Sequence, residues 1–152
     1  MLVDDSSQSG NRNANGRPIH TQVVVPVPLY RRYKNFCRQH INEGMVADDC
    51  TNVMKTINEK RLNCKGINTF IISTTDKVKR ICEGIQDEEM TWSTGVFDII
   101  KCSLVKEGPR PSDCEYEGSS QNGMNLYVGC MDNRPVHYAV HEFVLNIKLF
   151  QC

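Results

Sequence analysis

At 152 residues the chain has room for one domain, with or without an appendage. Eighteen Lys and Arg balance eighteen Asp and Glu, which argues against a protein that holds nucleic acid by bulk charge alone. No apolar run approaches the length needed to span a membrane, so stable membrane insertion is not expected.

Residues 1–19 are rich in Asn, Ser, Gly and Asp and have almost nothing to bury, so residues 1–28 read as a flexible N-terminal extension. Within it, "TQVVVPVPLY" carries Pro26 and Pro28, which point to an extended arm rather than a helix. The folded body is expected over 29–152. Helical spacing of Tyr33, Phe36, Cys37, His40 and Ile41 predicts a first helix. A second fits "DDCTNVMKTINEK", with Asp48 or Asp49 as its cap and Cys50, Val53, Met54 and Ile57 on one face. A third begins at Thr74 or Thr75 and ends at Gly84. Strand signals follow in "INTFIIS", "GVFDIIKCSLV", "MNLYVGCM" and "RPVHYAVHEFVLNI", separated by turn-prone "EGPRPSD" and "EGSSQNG". Three early helices and several late strands predict an α+β fold with an antiparallel sheet.

Eight cysteines lie at 37, 50, 64, 82, 102, 114, 130 and 152. None forms a C-x-x-C pair, so zinc-ribbon and thioredoxin chemistry have little support. An even count spread over the chain reads as a disulfide framework in an oxidising compartment, hence a secreted, extracellular protein. The opening "MLVDDSSQSG" lacks the features of a signal peptide, so secretion implies a leader already removed. Eight cysteines allow on the order of 100 pairings, and spacing does not choose among them.

Two imidazoles can serve one reaction as proton donor and acceptor, and a lysine can stabilise the anionic charge that develops between them. His40, His137 and Lys65 are the right types, although spacing alone does not bring them together. His20 and His141 read as incidental. Arg38 and Lys34 read equally as phosphate contacts or as a solvated helix face. Arg31 and Arg32 read as plain surface, and the Asp48–Asp49 pair as a helix cap rather than a metal site.

In order along the chain stand "RQHI" at 38–41, Cys50 with Met54, "CKGINTF" at 64–70 and "RPVHYAV" at 134–140. Together these motifs resemble the pancreatic-type ribonuclease family, in a fish, frog or angiogenin-like branch, over roughly residues 30–140. The resemblance implies a bent sheet in a two-lobed molecule with a cleft. It implies RNA cleavage 3′ to pyrimidines by transphosphorylation, with neither metal nor cofactor. His40 would then be the general base, His137 the general acid and Lys65 the transition-state cation. Gln39 and the Tyr138 main-chain N–H would hold phosphate oxygens, Asn68 and Thr69 would lie on the base side, and Arg38 would reach a further phosphate. The pattern also implies Cys50–Cys102, Cys64–Cys114 and Cys82–Cys130. For Cys37 and Cys152 a fourth bond competes with two free or intermolecular thiols.

Three positions depart from the pattern. Ala139 stands where an aspartate often orients the second histidine. Lys101 stands where an acidic residue often tunes the pyrimidine site, and Met131 where a polar residue often meets the 3′ base. The partners implied are RNA and, as further candidates, a ribonuclease-inhibitor protein or a cell-surface partner, with the chain a monomer. The alternative function is angiogenin-like signalling or host defence with weak ribonuclease activity.

Overall fold

The computed structural model describes residues 27–139. His20, His141, Cys152, most of the N-terminal extension and the tail lie outside the described residues.

Helix α1 runs Val27–His40. Pro28, read from sequence as barring a helix, sits in the first turn. There its missing N–H has no intrahelical acceptor to lose, so the rule against proline applies only deeper in the helix. Helix α2 (Cys50–Asn58) follows a single 3₁₀ turn, Ala47–Asp49. The predicted aspartate cap is not made: Asp49 already has helical backbone (φ −89°, ψ 0°) and its side chain bonds no N–H of the first turn. A capping residue needs an extended backbone, and here Val46 has it instead. Helix α3 (Thr75–Lys79) begins as predicted, with the Thr74 hydroxyl accepting from Lys77 N–H at 3.3 Å. It continues as a 3₁₀ turn, Arg80–Cys82, and Gly84 follows at φ +73°.

Among the described residues six strands form where four were predicted, the additions being β2 (Met90–Trp92) and β4 (Glu115–Met124). β1 (Ile67–Ile71), β3 (Phe97–Lys106) and β4 (Glu115–Met124) form one antiparallel sheet in the order β1-β3-β4. β2 (Met90–Trp92), β5 (Tyr127–Met131) and β6 (Arg134–Tyr138) form a second, in the order β2-β5-β6. β2 has only three residues, too few to show a period of two. The first sheet separates two apolar clusters. Ile71 and Ile99 join Phe36, Val78, Leu126, Val128 and Tyr138 on one side. Phe70 and Ile100 join Met45, Met54, Ile57 and Tyr116 on the other. Burial on both faces is why β1 is buried at every position from Asn68 to Ile71 rather than at alternate ones.

The "EGSSQNG" stretch is not a turn; it forms most of β4. Its glycines serve other ends. Gly118 passes so close to the Ala47 main chain that a Cβ there would collide with Ala47 O. Gly123, at φ +65°, lies in a bulge where Asn122 and Gly123 together oppose Asp98, and the Asp98 carboxylate accepts the Gly123 N–H at 3.1 Å.

All three predicted disulfides are present: Cys50–Cys102, Cys64–Cys114 and Cys82–Cys130. Cys37 has no disulfide partner among the described residues. It sits half-buried on α1 beside the Tyr33 hydroxyl, and burial pushes its thiol pKa up, which disfavours the reactive thiolate.

Candidate active site

The segment after α2 is anchored at both ends by one buried side chain. Asn58 Oδ1 accepts the Lys65 main-chain N–H at 3.0 Å, and Asn58 Nδ2 donates to the Tyr116 hydroxyl at 2.8 Å. That hydroxyl donates to the Lys65 carbonyl at 2.6 Å. The main chain of Lys65 is thus held on both its polar groups. Its ammonium donates to Asn68 Oδ1 at 2.8 Å, and Asn68 Nδ2 donates to the Gln39 carbonyl at 2.7 Å. Asn68 therefore ties β1 to α1 and aims the lysine. Burial, then the charges of Arg61 and Arg38, lower the Lys65 pKa. Asn58 and Tyr116 were missed in the sequence. The available signal was a polar residue, Asn58, continuing the buried stripe of Met54 and Ile57 on α2.

His40 closes α1. Its Nδ1 lies 2.9 Å from the Thr69 carbonyl oxygen. A carbonyl can only accept, so Nδ1 carries the proton and Nε2 of the neutral ring has a free lone pair. The ring is stacked on Tyr138 (centroids 5.3 Å, 30°) and tilted against Phe36 at 5.3 Å. Burial lowers its pKa from the usual 6.5 to about 4, with Lys65 and His137 pressing the same way and the Thr69 hydrogen bond opposing. The sign of the linked stability follows. Between pH 6.5 and about 4 the unfolded chain binds a proton at this ring that the folded chain refuses. Stability is therefore full above pH 6.5, falls as the pH drops towards 4, and loses no more from this group below that, for a total on the order of 3 kcal/mol. Urea midpoints of wild type and His40→Gln between pH 4 and 7 should converge at acid pH, and parallel curves would refute the assignment.

His137 stands on β6, exposed, and close enough for its charge to be felt at His40. Its position is set by the β5–β6 hairpin. Asp132 and Asn133 both have positive φ (50° and 55°), the two-residue turn whose twist matches antiparallel strands. Arg134 Nη1 donates to Asp132 Oδ2 at 2.7 Å across that turn. The resulting register sets His137 opposite Gly129, where a Cβ would come within 3.3 Å of the His137 Cβ and 2.9 Å of Met90 Sδ. Ala139, buried just past β6, offers no carboxylate to the histidine.

Two hollows adjoin. One, of about 200 Å³, is lined by His40, His137, Gln39 and Tyr138 together with Arg32 and Asn35. The other, of about 440 Å³, is lined by Gln39, Lys65 and Arg38 among others, and Asn35 again. The three predicted catalytic types, with Gln39 between them, thus share one concave surface. Thr69 and Asn68 are buried beneath it. Arg32 is a correction: read as plain surface, it lines the histidine hollow because 32, 35, 36, 39 and 40 fall on one helical stripe. Lys34 lines neither hollow and lies 5.1 Å from the Tyr30 ring centroid, one turn back.

Comparison with known proteins agrees with this arrangement. The family model described as pancreatic ribonuclease matches residues 31–140. The chain belongs to the pancreatic ribonuclease family. It is a pancreatic-type endoribonuclease. The ribonuclease is 30% identical to Ribonuclease-like 3 of Danio rerio over 122 residues, covering 74% of this chain and 80% of that protein. It is 34% identical to Amphinase-2 of Lithobates pipiens over 112 residues, covering 71% and 90%. Among solved structures, zebrafish RNase5 superposes with a TM-score of 0.66 at 31% identity, covering 76% of this ribonuclease and 98% of that chain. RNASE ZF-1A superposes at 0.67 and 31%, covering 81% and 98%. The ribonuclease therefore falls in the fish, frog and angiogenin branch that its motifs suggested.

Proposed function

We propose that the protein is a secreted ribonuclease that cuts RNA on the 3′ side of pyrimidines by transphosphorylation to a 2′,3′-cyclic phosphate, which it then hydrolyses, without a metal. The observation that carries this reading is the His40 Nδ1 bond to the Thr69 carbonyl. It leaves Nε2 as a lone pair facing the hollow, with a ring neutral at any pH well above 4. Such a group takes a proton, and the ribose 2′-hydroxyl is the proton RNA has and DNA lacks.

In this reading His40 removes the 2′-OH proton, the 2′-oxygen attacks the phosphorus, and His137 protonates the departing 5′-oxygen. Lys65, pre-aimed by Asn68, stabilises the charge that builds on the phosphorane-like oxygens. Gln39 and the Tyr138 N–H hold the non-bridging oxygens, and Arg38 holds a further phosphate. In the second step the histidines exchange roles and water takes the place of the leaving alcohol. Thr69, buried on the base side with Asn68 beside it, presents a hydroxyl that donates to cytosine or accepts from uracil by rotating. Lys101 faces Thr69 across β1 and β3. Three disulfides suit an oxidising compartment, which supports secretion.

The test is cleavage of an RNA oligonucleotide with one internal pyrimidine, in EDTA, with product ends identified by mass. The expected result is a 2′,3′-cyclic phosphate at that pyrimidine, unaffected by EDTA, and no cut in the 2′-O-methyl analogue. Loss of activity in EDTA, or cleavage of the analogue, would overturn the mechanism. An intact oligonucleotide would favour the signalling or host-defence reading, which the angiogenins among the relatives bring with them.

A further inference from the structure

Two hydroxyls meet beneath the reaction centre. Tyr138 ends β6 with its ring stacked on His40, centroids 5.3 Å apart. His40 is in turn held on the Thr69 carbonyl. The third side of this small ring of groups is a hydrogen bond between the Tyr138 phenol and the Thr69 hydroxyl. Both residues are buried, at 6% and 5% exposed, so the bond forms largely out of water. Lys101 stands directly opposite Thr69 in the β1–β3 ladder, on the same face.

The Thr69 hydroxyl has one proton to give and two lone pairs. Cytosine offers an acceptor at N3, whereas uracil offers an N–H there, so the base that fits depends on where that proton points. A neighbour that only accepts draws the proton away and leaves a lone pair for uracil. A neighbour that donates leaves the proton for cytosine. Between a phenol and an alkyl hydroxyl the roles are unequal. The phenol is the stronger acid, and its lone pairs are partly spread into the ring, so it donates and the threonine oxygen accepts. Burial raises the Tyr138 pKa, which keeps the phenolic proton in place at neutral pH. An ammonium has no lone pair, so Lys101 cannot draw the Thr69 proton away either.

We propose that Tyr138 sets the base preference through Thr69: its hydroxyl donates to the Thr69 oxygen, turns the Thr69 proton toward the bound base, and favours cytosine over uracil on the 5′ side of the cut. The inference rests on the ribonuclease reading above and narrows it. Tyr138 is here a positioning residue, because its hydroxyl acts on the base only by way of Thr69.

The test compares wild type with Tyr138→Phe, which deletes the hydroxyl and keeps a ring on His40. Calorimetry on the full chain gives affinities for cytidine 3′-phosphate and uridine 3′-phosphate. Cleavage of cytidylyl-adenosine and uridylyl-adenosine gives the two kcat/KM values, and urea midpoints check that the fold is kept. Wild type is expected to favour the cytidine ligand. Tyr138→Phe should shrink that advantage by roughly three- to tenfold, the worth of one net hydrogen bond. The ratio of the two kcat/KM values should shift by the same factor. In a Thr69→Val background the reading hydroxyl is gone, and Tyr138→Phe should then leave the ratio alone. An unchanged ratio in Tyr138→Phe overturns the proposal, since a purely structural role weakens both ligands alike. So does a shift of equal size in the Thr69→Val background, or a wild type that prefers the uridine ligand. If neither dinucleotide is cut while the two nucleotides bind as expected, the cleavage mechanism fails and the role of Tyr138 in base preference stands.

Discussion

Replacing His137 by alanine is expected to slow cleavage of RNA by roughly 10²–10⁴-fold, the span general acid–base catalysis supplies. Without an acid the departing ribose oxygen must leave as an alkoxide. His40→Ala should cost a similar factor for the opposite reason: nothing then takes the 2′-OH proton. The two losses should not multiply in the double variant, because both groups serve one transition state. A substrate with an activated leaving group separates the roles. Uridine 3′-(4-nitrophenyl phosphate) departs as a stable phenolate and needs no proton. It should restore most of the rate to His137→Ala and almost none to His40→Ala. Rescue of both variants alike, or of His40→Ala alone, would reverse or abolish the assignment. In the wild type, kcat/KM should hold on the acid side until His40 itself takes up a proton, near pH 4.

The second large effect concerns stability. Cys50–Cys102 and Cys64–Cys114 span nearly equal separations, 52 and 50 residues. Chain entropy therefore predicts a similar loss, about 4 kcal/mol, when either pair becomes alanine. Their surroundings differ. Cys50 and Cys102 are 1% and 0% exposed, whereas Cys64 is only half-buried. Removing the buried pair also empties core volume at the contact of α2 with β3, which should add about 1–2 kcal/mol. Cys102 lies opposite Asn68 in the β1–β3 ladder, so the same change loosens the strand that aims Lys65. Urea unfolding of the two paired variants, with cleavage assayed below the transition, checks both statements. Equal midpoints would show that packing around the first bridge contributes nothing of its own.

Much of this arrangement was readable in the sequence. Phe36 and His40 share a helical stripe, Met54 and Ile57 another, and the β-branched runs of β1 and β3 announce strands buried on both faces. The order of four short motifs carried the pairing of six cysteines. What could not be read depends on approach and context rather than local preference. The glycines of "EGSSQNG" look like turn residues until Ala47 is seen against Gly118 and Asp98 against the bulge. Asp49 looks like a cap until the preceding 3₁₀ turn fixes its backbone in the helical region. Pro28 looks like a helix breaker until the helix start lies one residue before it. Arg32 and Arg61 belong to elements far apart in the chain, and only the docking of α1 beside the end of α2 and the tip of β6 brings them to the cleft. Asn58 is the exception, since its place on an apolar stripe was visible and its meaning was not.

Gly129 has a consequence that concerns rate rather than stability. The imidazole at 137 keeps its station partly because the strand beside it carries no side chain at this point. One added methyl there would press the backbone of β6 sideways by a few tenths of an ångström while leaving every reacting group chemically intact. Position 129 is thus a place where turnover could be adjusted by volume alone, out of sight of the RNA.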